Sequence, residues 1–429
     1  MKTLKDSVSR FHFIEFLAAT IMLFPLICFA VLNVFQGRPA SDDYCAIDRN
    51  LGGNIASTIW RQYTHGTGRP SMNLATSVLE DLNTYESSFL ATRLTGFLII
   101  GVLVVFIFRL NKLYENLFPS LLLVAATVTG VSISGNLFIT TTFLPSVLAH
   151  TLPTIFLIIL LLVINRTDLS PFWWTLSCLA ICLWLETAAI GVFLIAVFYL
   201  GRRKGVRDRI LFVLPSAFSI FILLGSPGNW NKLHQYNSPL QSPGSLASLI
   251  TSGFHGISEI PFAFIHSPVY AISLILIGTL IGLRKSQINW LQLCTLSTLI
   301  SLSTAFFLGV TSIPTYAKFD FLGPASLALL ALGIGCGSSI NNKLEHYNFF
   351  VLTASLIISF QLISYLSIAI GEISQRQHNW DLATTTIETA RSKNLESVMY
   401  PKFTSPISEP GNYIPARNCA SGYFGINLG

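Results

Sequence analysis

Charged side chains are scarce in this chain. Its 429 residues include 26 basic and 20 acidic ones, 11% in all, under half of the roughly 25% usual in soluble domains, which excludes an ordinary water-soluble enzyme. Whole stretches carry none: residues 16–37, 116–165 and 286–317 contain no Asp, Glu, Lys or Arg, and a bilayer crossing needs only about 20 such residues. Cysteine is also sparse. The 7 present are thinly spread and several fall inside apolar runs, which excludes a disulfide-stapled secreted scaffold. The chain has no His-Glu-x-x-His, paired Cys-x-x-Cys, Gly-x-Ser-x-Gly or Walker loop, so zinc, redox and ATP-driven chemistry lack support. The glycine-rich Gly333-Ile334-Gly335-Cys336-Gly337 has no strand before it and no phosphate-binding lysine, and reads as close helix packing. No internal repeat is visible, which lowers the case for a transporter built from inverted halves.

What is present is apolar: 52% of the side chains. The expected fold is all-α, a polytopic transmembrane bundle of about eleven spans near 14–35, 92–108, 118–134, 145–164, 171–185, 187–200, 210–226, 266–283, 288–310, 321–339 and 348–370. Residues 171–200 are long for one crossing and make two short ones with Glu186 at the turn. The run Cys28-Phe29-Ala30 loosely fits a signal-peptide cleavage site, but the apolar stretch continues to Phe35 and is read as a retained span. Lys2, Lys5 and Arg10 then share a side with Arg109, Lys112, Arg166, the cluster from Arg202 to Arg209, Arg284, Lys285 and Lys343, which the positive-inside rule makes cytoplasmic. The net charge of +6 thus sets orientation in a lipid membrane and needs no nucleic-acid partner.

This alternation divides the chain into a bundle, 1–370, and an extracytoplasmic tail, 371–429. Two sizeable outer loops, 36–91 and 227–265, interrupt the bundle, and long loops in a compact protein usually carry function. Trp380, Ala383, Ile387 and Ala390 repeat at helical spacing in the tail, which predicts a helix docked on the outer loops. Cys45 and Cys419 both fall outside, where a bridge between them and a partly buried, reduced Cys45 fit equally well.

Polar residues with chemical potential gather near the outer surface. Ser41-Asp42-Asp43-Tyr44 follows the first span. Two adjacent carboxylates there repel each other, which suits one of them to accept a proton from a hydroxyl, or suits the pair to hold a divalent cation. Capping of a following helix is the plainer role. Tyr63-Thr64-His65-Gly66-Thr67-Gly68-Arg69-Pro70 offers glycines for close backbone approach and a guanidinium suited to phosphate, or else a solvated turn. Gly225-Ser226-Pro227-Gly228-Asn229-Trp230-Asn231-Lys232 sets amide and ammonium groups where a span ends, Lys232 either snorkelling or neutralising a lipid phosphate. Glu186 and His150, close to or within apolar segments, are expected to face the bundle interior or a water-filled cavity. Asp320 with Tyr316 and Lys318 reads as a local ion pair.

Asp42-Asp43-Tyr44 after the first span, Tyr63 to Arg69 as a Tyr-x-x-x-x-Gly-Arg element, and Pro227-Gly228-Asn229, on a bundle of about eleven helices, resemble the GT-C class of integral membrane glycosyltransferases. The likeness is greatest to bacterial families that modify O-antigen and other surface glycans. It covers the order and spacing of elements over much of the chain. The sequence departs from similar ones at Thr64 to Thr67, which are polar where an aromatic residue often precedes Gly-Arg. The resemblance implies transfer of a sugar from a polyprenyl-phosphate-linked donor to a glycan or lipid acceptor, at the outer face of a bacterial inner membrane. Asp42 or Asp43 would be the base. Arg69 and Lys232 would hold the donor phosphate, and Tyr44, His65, His150, Glu186 and Asn229 would bind substrate or support the site. No cofactor is required, and a divalent cation is compatible. A transporter or flippase of a lipid-linked glycan is the main rival, followed by a glycan polymerase or ligase.

Overall fold

Proline punctuates this chain at helix starts. Its ring presets the backbone dihedral of a first turn and lacks an N–H that would be unpartnered there. Pro70, Pro171, Pro227 and Pro268 each open a helix, and Pro119 and Pro145 stand in the first turn of two more. A computed structural model describes residues 2–38, 55–66, 68–80, 82, 89–135, 137–167, 169–202, 205–235, 246–284, 287–311, 315–340, 347–399, 421 and 426–428. Among the described residues the protein is all-α apart from a two-residue parallel pairing of Ser397–Val398 with Asn427–Leu428.

The main helices are α1 (Lys2–Gln36), α2 (Ile55–His65), α3 (Pro70–Glu80), α4 (Leu90–Tyr114), α5 (Phe118–Ile133) and α6 (Leu144–Arg166). They continue with α7 (Pro171–Cys182), α8 (Glu186–Tyr199), α9 (Val206–Leu224), α10 (Pro227–Gln235), α11 (Leu246–His266) and α12 (Pro268–Leu283), and end with α13 (Trp290–Thr311), α14 (Phe319–Ser339) and α15 (Tyr347–Ser392). Each of the eleven expected spans contains a helix. Among the described residues, however, only α1, α4, α6, α13, α14 and α15 are long and apolar enough to cross a membrane, or seven elements if the bent pair α11 and α12 counts as one. The apolar helices α5, α7 and α8 have 16, 12 and 14 residues, about 18 to 24 Å of rise against a hydrocarbon core of about 30 Å. This is a multi-pass membrane protein whose helix lengths account for six or seven crossings.

Interior contacts sort the helix ends into two sets. At one end Asn165 donates to the carbonyl of Asn289 at 3.1 Å, the Tyr114 hydroxyl to that of Leu162, and the Arg284 guanidinium lies 3.6 Å from the centre of the Tyr347 ring. Burial holds Arg284 below its ordinary range, opposed by Tyr347 and by Glu15 of α1. At the other end Asn33 donates to the carbonyl of Thr92 at 2.7 Å, Thr95 to that of Thr142 at 3.1 Å, and Arg38 approaches Asp381 at 3.8 Å. The first set joins ends that the basic residues mark as one side, and the second joins ends expected on the other.

The glycine-rich segment of α14 packs on α12 as its composition predicts. Gly278 and Gly282 of α12, four residues apart, face Gly333 and Gly337 of α14, also four apart, so closely that a Cβ on Gly278 would lie 2.1 Å from the carbonyl oxygen of Leu330. Small residues at this spacing let two backbones touch and gain dispersion contacts that lipid tails do not provide. Leu in place of Gly278 forces the helices apart and is expected to cost about 1 to 3 kcal/mol, whereas Ala at Gly101, which has open space around it, is expected to be neutral. Thermal unfolding of the two variants in detergent measures the contrast, and equal stability removes the packing account.

Candidate functional site

Three elements far apart in sequence meet at one end of the bundle. Gly68 has a positive φ of 67°, a left-handed conformation that glycine adopts without penalty. It turns the chain between α2 and α3 and aims the next side chain, Arg69, inward. Glu186 is the first residue of α8, at the break after α7, where the positive end of the helix dipole favours a carboxylate. The pair is buried and bidentate: Arg69 Nε donates to Glu186 Oε1 at 3.0 Å and Oε2 at 2.9 Å, and Nη2 approaches Oε2 at 2.7 Å. Asn229, in the first turn of α10, donates from its amide nitrogen to Glu186 Oε1 at 2.8 Å and to the carbonyl of Leu223 at 2.8 Å. One carboxylate thus takes donors from two other elements.

The backbone around these side chains fits them together. Ser226 Oγ donates to the carbonyl of Tyr63 at 2.7 Å, and the Tyr63 hydroxyl donates to the carbonyl of Ile222 at 3.0 Å. A Cβ on Gly228 would lie 2.8 to 2.9 Å from the carbonyl oxygens of Gln62, Tyr63 and Gly66, and one on Gly68 would lie 2.2 Å from Ser226 Oγ. Each glycine therefore serves backbone approach across the joint. The amide of Ser71 donates to the carbonyl of Leu183 at 3.2 Å, tying α3 to the break before α8.

A second buried polar group adjoins the first through consecutive residues. Thr187, next to Glu186, donates its hydroxyl to Asp320 Oδ2 at 2.9 Å. His150 Nδ1 lies 3.2 and 3.1 Å from the two oxygens of the same carboxylate, and Thr154 reaches Oδ1 at 3.5 Å. His150 sits on a π-helical turn, Val147–Thr151, an irregularity frequent at functional sites. Asp320 is therefore not paired locally with Lys318, which instead donates to Glu259 Oε2 at 2.8 Å. The spacing along the chain hides this because the partners of Asp320 lie more than 130 residues away.

Of the residues singled out from the sequence, Arg69, Glu186 and Asn229 form the joint, and His150 belongs to the adjoining group. His65, at the end of α2, is exposed and its Nδ1 lies 2.7 Å from the Thr64 hydroxyl. Lys232 lies on α10, one turn beyond Asn229, with its side chain outside what is described. Asp42, Asp43 and Tyr44, like Cys45 and Cys419, lie outside the described residues. Thr187 is a member that sequence reasoning missed, Asp320 was read as a local ion pair, and Ser226 was quoted within its cluster without a role. The available signal for Asp320 was an acidic residue at the start of an apolar span, where an ionisable group needs a partner. Comparison with protein-family models, with curated proteins and with solved structures finds no match.

The joint predicts a coupling. Replacing Glu186 with Leu leaves the Arg69 guanidinium buried without its counter-charge and is expected to cost about 3 to 5 kcal/mol, while the double variant Glu186→Leu, Arg69→Met recovers much of that loss. Unfolding of wild type, both single variants and the double variant in matched detergent closes the cycle. Additive losses would show that the two side chains are not coupled.

Proposed function

We propose that the protein is a GT-C-like glycosyltransferase of a bacterial inner membrane, transferring a sugar from a polyprenyl-phosphate-linked donor to a glycan or lipid acceptor. In this reading all eleven apolar helices cross or re-enter the bilayer, the N-terminus is cytoplasmic, and both outer loops and the tail are periplasmic. The observation that carries it is the bond from Asn229 to Glu186 and the ion pair from Glu186 to Arg69. The Tyr63 to Arg69 element, the α7–α8 break and the Ser226 to Asn229 turn have no reason in sequence to meet, yet they do.

The chemistry is a displacement at the anomeric carbon. A carboxylate of the Asp42–Asp43 pair takes the proton from the acceptor hydroxyl as its oxygen attacks, and the bond to the donor phosphate breaks with its electron pair leaving on the polyprenyl phosphate. Cationic groups near that phosphate favour the transition state because negative charge grows there. Glu186 already neutralises Arg69, so a phosphate reaching the joint competes with Glu186 for the guanidinium. Lys232, on the same short helix as Asn229, is the second cation assigned to the leaving group. Asn229, Glu186 and the His150–Asp320 group position this end of the bundle, and Tyr44 and His65 are assigned to sugar hydroxyls.

The buried ionisable side chains of His150, Asp320, Glu186 and Arg69 also suit a transporter or flippase, in which they would line a pathway. Covalent product separates the two readings. Asp42→Asn and Asp43→Asn are to be assayed separately for sugar transfer from a polyprenyl-phosphate donor in proteoliposomes, alongside membrane abundance. At least one is expected to lose about 100-fold or more. Full transfer by both removes the proposed base, and movement of the donor across the bilayer with no covalent product selects the flippase.

A further inference from the structure

The helix α11 takes no part in either polar group, and its surface is divided in an unusual way. It meets α12 at Ser267 with a bend of 87°, and α12 lies along α14 through the paired glycines. At about 100° per residue, Gly253, Ile257, Ile260 and Phe264 share one side of α11 and pack on the protein. Ile250, Phe254 and Ile265 share a second side and are 42%, 61% and 72% exposed. Ser248, Thr251, His255, Ser258 and His266 share a third, all exposed. The second side is about a quarter of a turn from the packed one, and the third about a quarter of a turn beyond it. Phe262, on the polar side, lies with its ring centre 3.9 Å from that of His266.

The contacts of α11 fall at one end of the helices beneath it. Gly253 faces the Phe306 ring, Gly256 faces Ala305 and Gly309, and Phe254 meets Phe306 edge-on at 6.2 Å and 89°, all within the last two turns of α13. Glu259 holds Lys318, just before α14 begins, at 2.8 Å. These contacts lie at the ends of α13 and α14, and the 87° bend turns α11 away from the direction of α12.

A helix that crosses a bilayer meets hydrocarbon on every exposed side, so a polar stripe about five turns long has no counterpart there. A helix lying flat at the surface meets protein on one flank, acyl chains below and water above. We propose that α11 lies in the plane of the membrane surface, with the lipid bilayer as its partner: Ile250, Phe254 and Ile265 insert among the acyl chains, while Thr251, His255 and Ser258 face water. Within the bent pair α12 alone then enters the bilayer. This holds whatever reaction the adjoining site performs.

Hydroxyl-radical footprinting of the unaltered full-length protein in phosphatidylglycerol–phosphatidylethanolamine nanodiscs tests the arrangement. His255 and His266 are about 16 Å apart along the axis, more than half of the roughly 30 Å hydrocarbon thickness. Both are expected to be oxidised to a similar extent, and protection of either one overturns the proposal. In a second measurement the 7 native cysteines are replaced and nitroxide labels are placed at Ile250, Phe254, Ile265, Thr251 and Ser258. The first three are expected to favour oxygen over a nickel chelate at one common depth, and the last two the reverse. A depth that increases steadily from 250 to 265 identifies a crossing helix, and nickel access at all five identifies a solvated one. Either result overturns the in-plane assignment.

Discussion

The ion pair between Arg69 and Glu186 is the interaction on which one end of the bundle depends. Removing two charges from water costs several kcal/mol for each ion, and their attraction offsets this only when the geometry is good and the remaining lone pairs are used. Both conditions are met: the guanidinium engages both carboxylate oxygens, and Asn229 occupies the next acceptor position on Oε1. The pair is therefore a registering device more than a source of stability. It holds the turn after α2 against the break before α8 and against the start of α10, and no apolar contact would fix those three backbones with the same directional precision.

The neighbouring His150–Asp320 group extends the same logic one residue further. Glu186 and Thr187 are consecutive, yet they serve different carboxylate networks, one reaching the turn after α2 and the other reaching α6 and α14. The first turn of α8 thereby becomes the place where the position of that turn and bundle packing are linked. A displacement of the α8 turn changes the Arg69 bond and the Asp320 bond together, so the turn after α2 and the bundle interior are mechanically connected through a single helix start.

Much of the fold was legible in the sequence, and the reasons are physical. Uncharged runs as long as 116–165 have only one inexpensive environment, and the basic residues between runs sort the helix ends into two sets that the contacts at Asn165–Asn289 and Asn33–Thr92 reproduce. Crossing number was less legible, since α5, α7 and α8 are apolar but short and composition does not say how a short helix is seated. The site was legible in parts. Glycine, arginine and asparagine in turns between apolar runs advertised themselves, but that Arg69 meets Glu186 across 117 positions is a tertiary fact with no local trace. Asp320 was misread for the same reason, because a nearby lysine in sequence is a poorer guide than a histidine brought alongside by packing.

The last helix carries a mechanical implication. α15 runs 46 residues without a break, about 69 Å at 1.5 Å per residue, and its far part holds the ring of Trp380 edge-on to Phe89 at 5.0 Å. Phe89 immediately precedes α4, so the rod rooted among the apolar helices bears on the start of α4. Over the roughly 33 Å beyond its apolar root a 5° tilt becomes a swing of roughly 3 Å. Lipid thickness and curvature, by tilting that root, are thus felt at the start of α4.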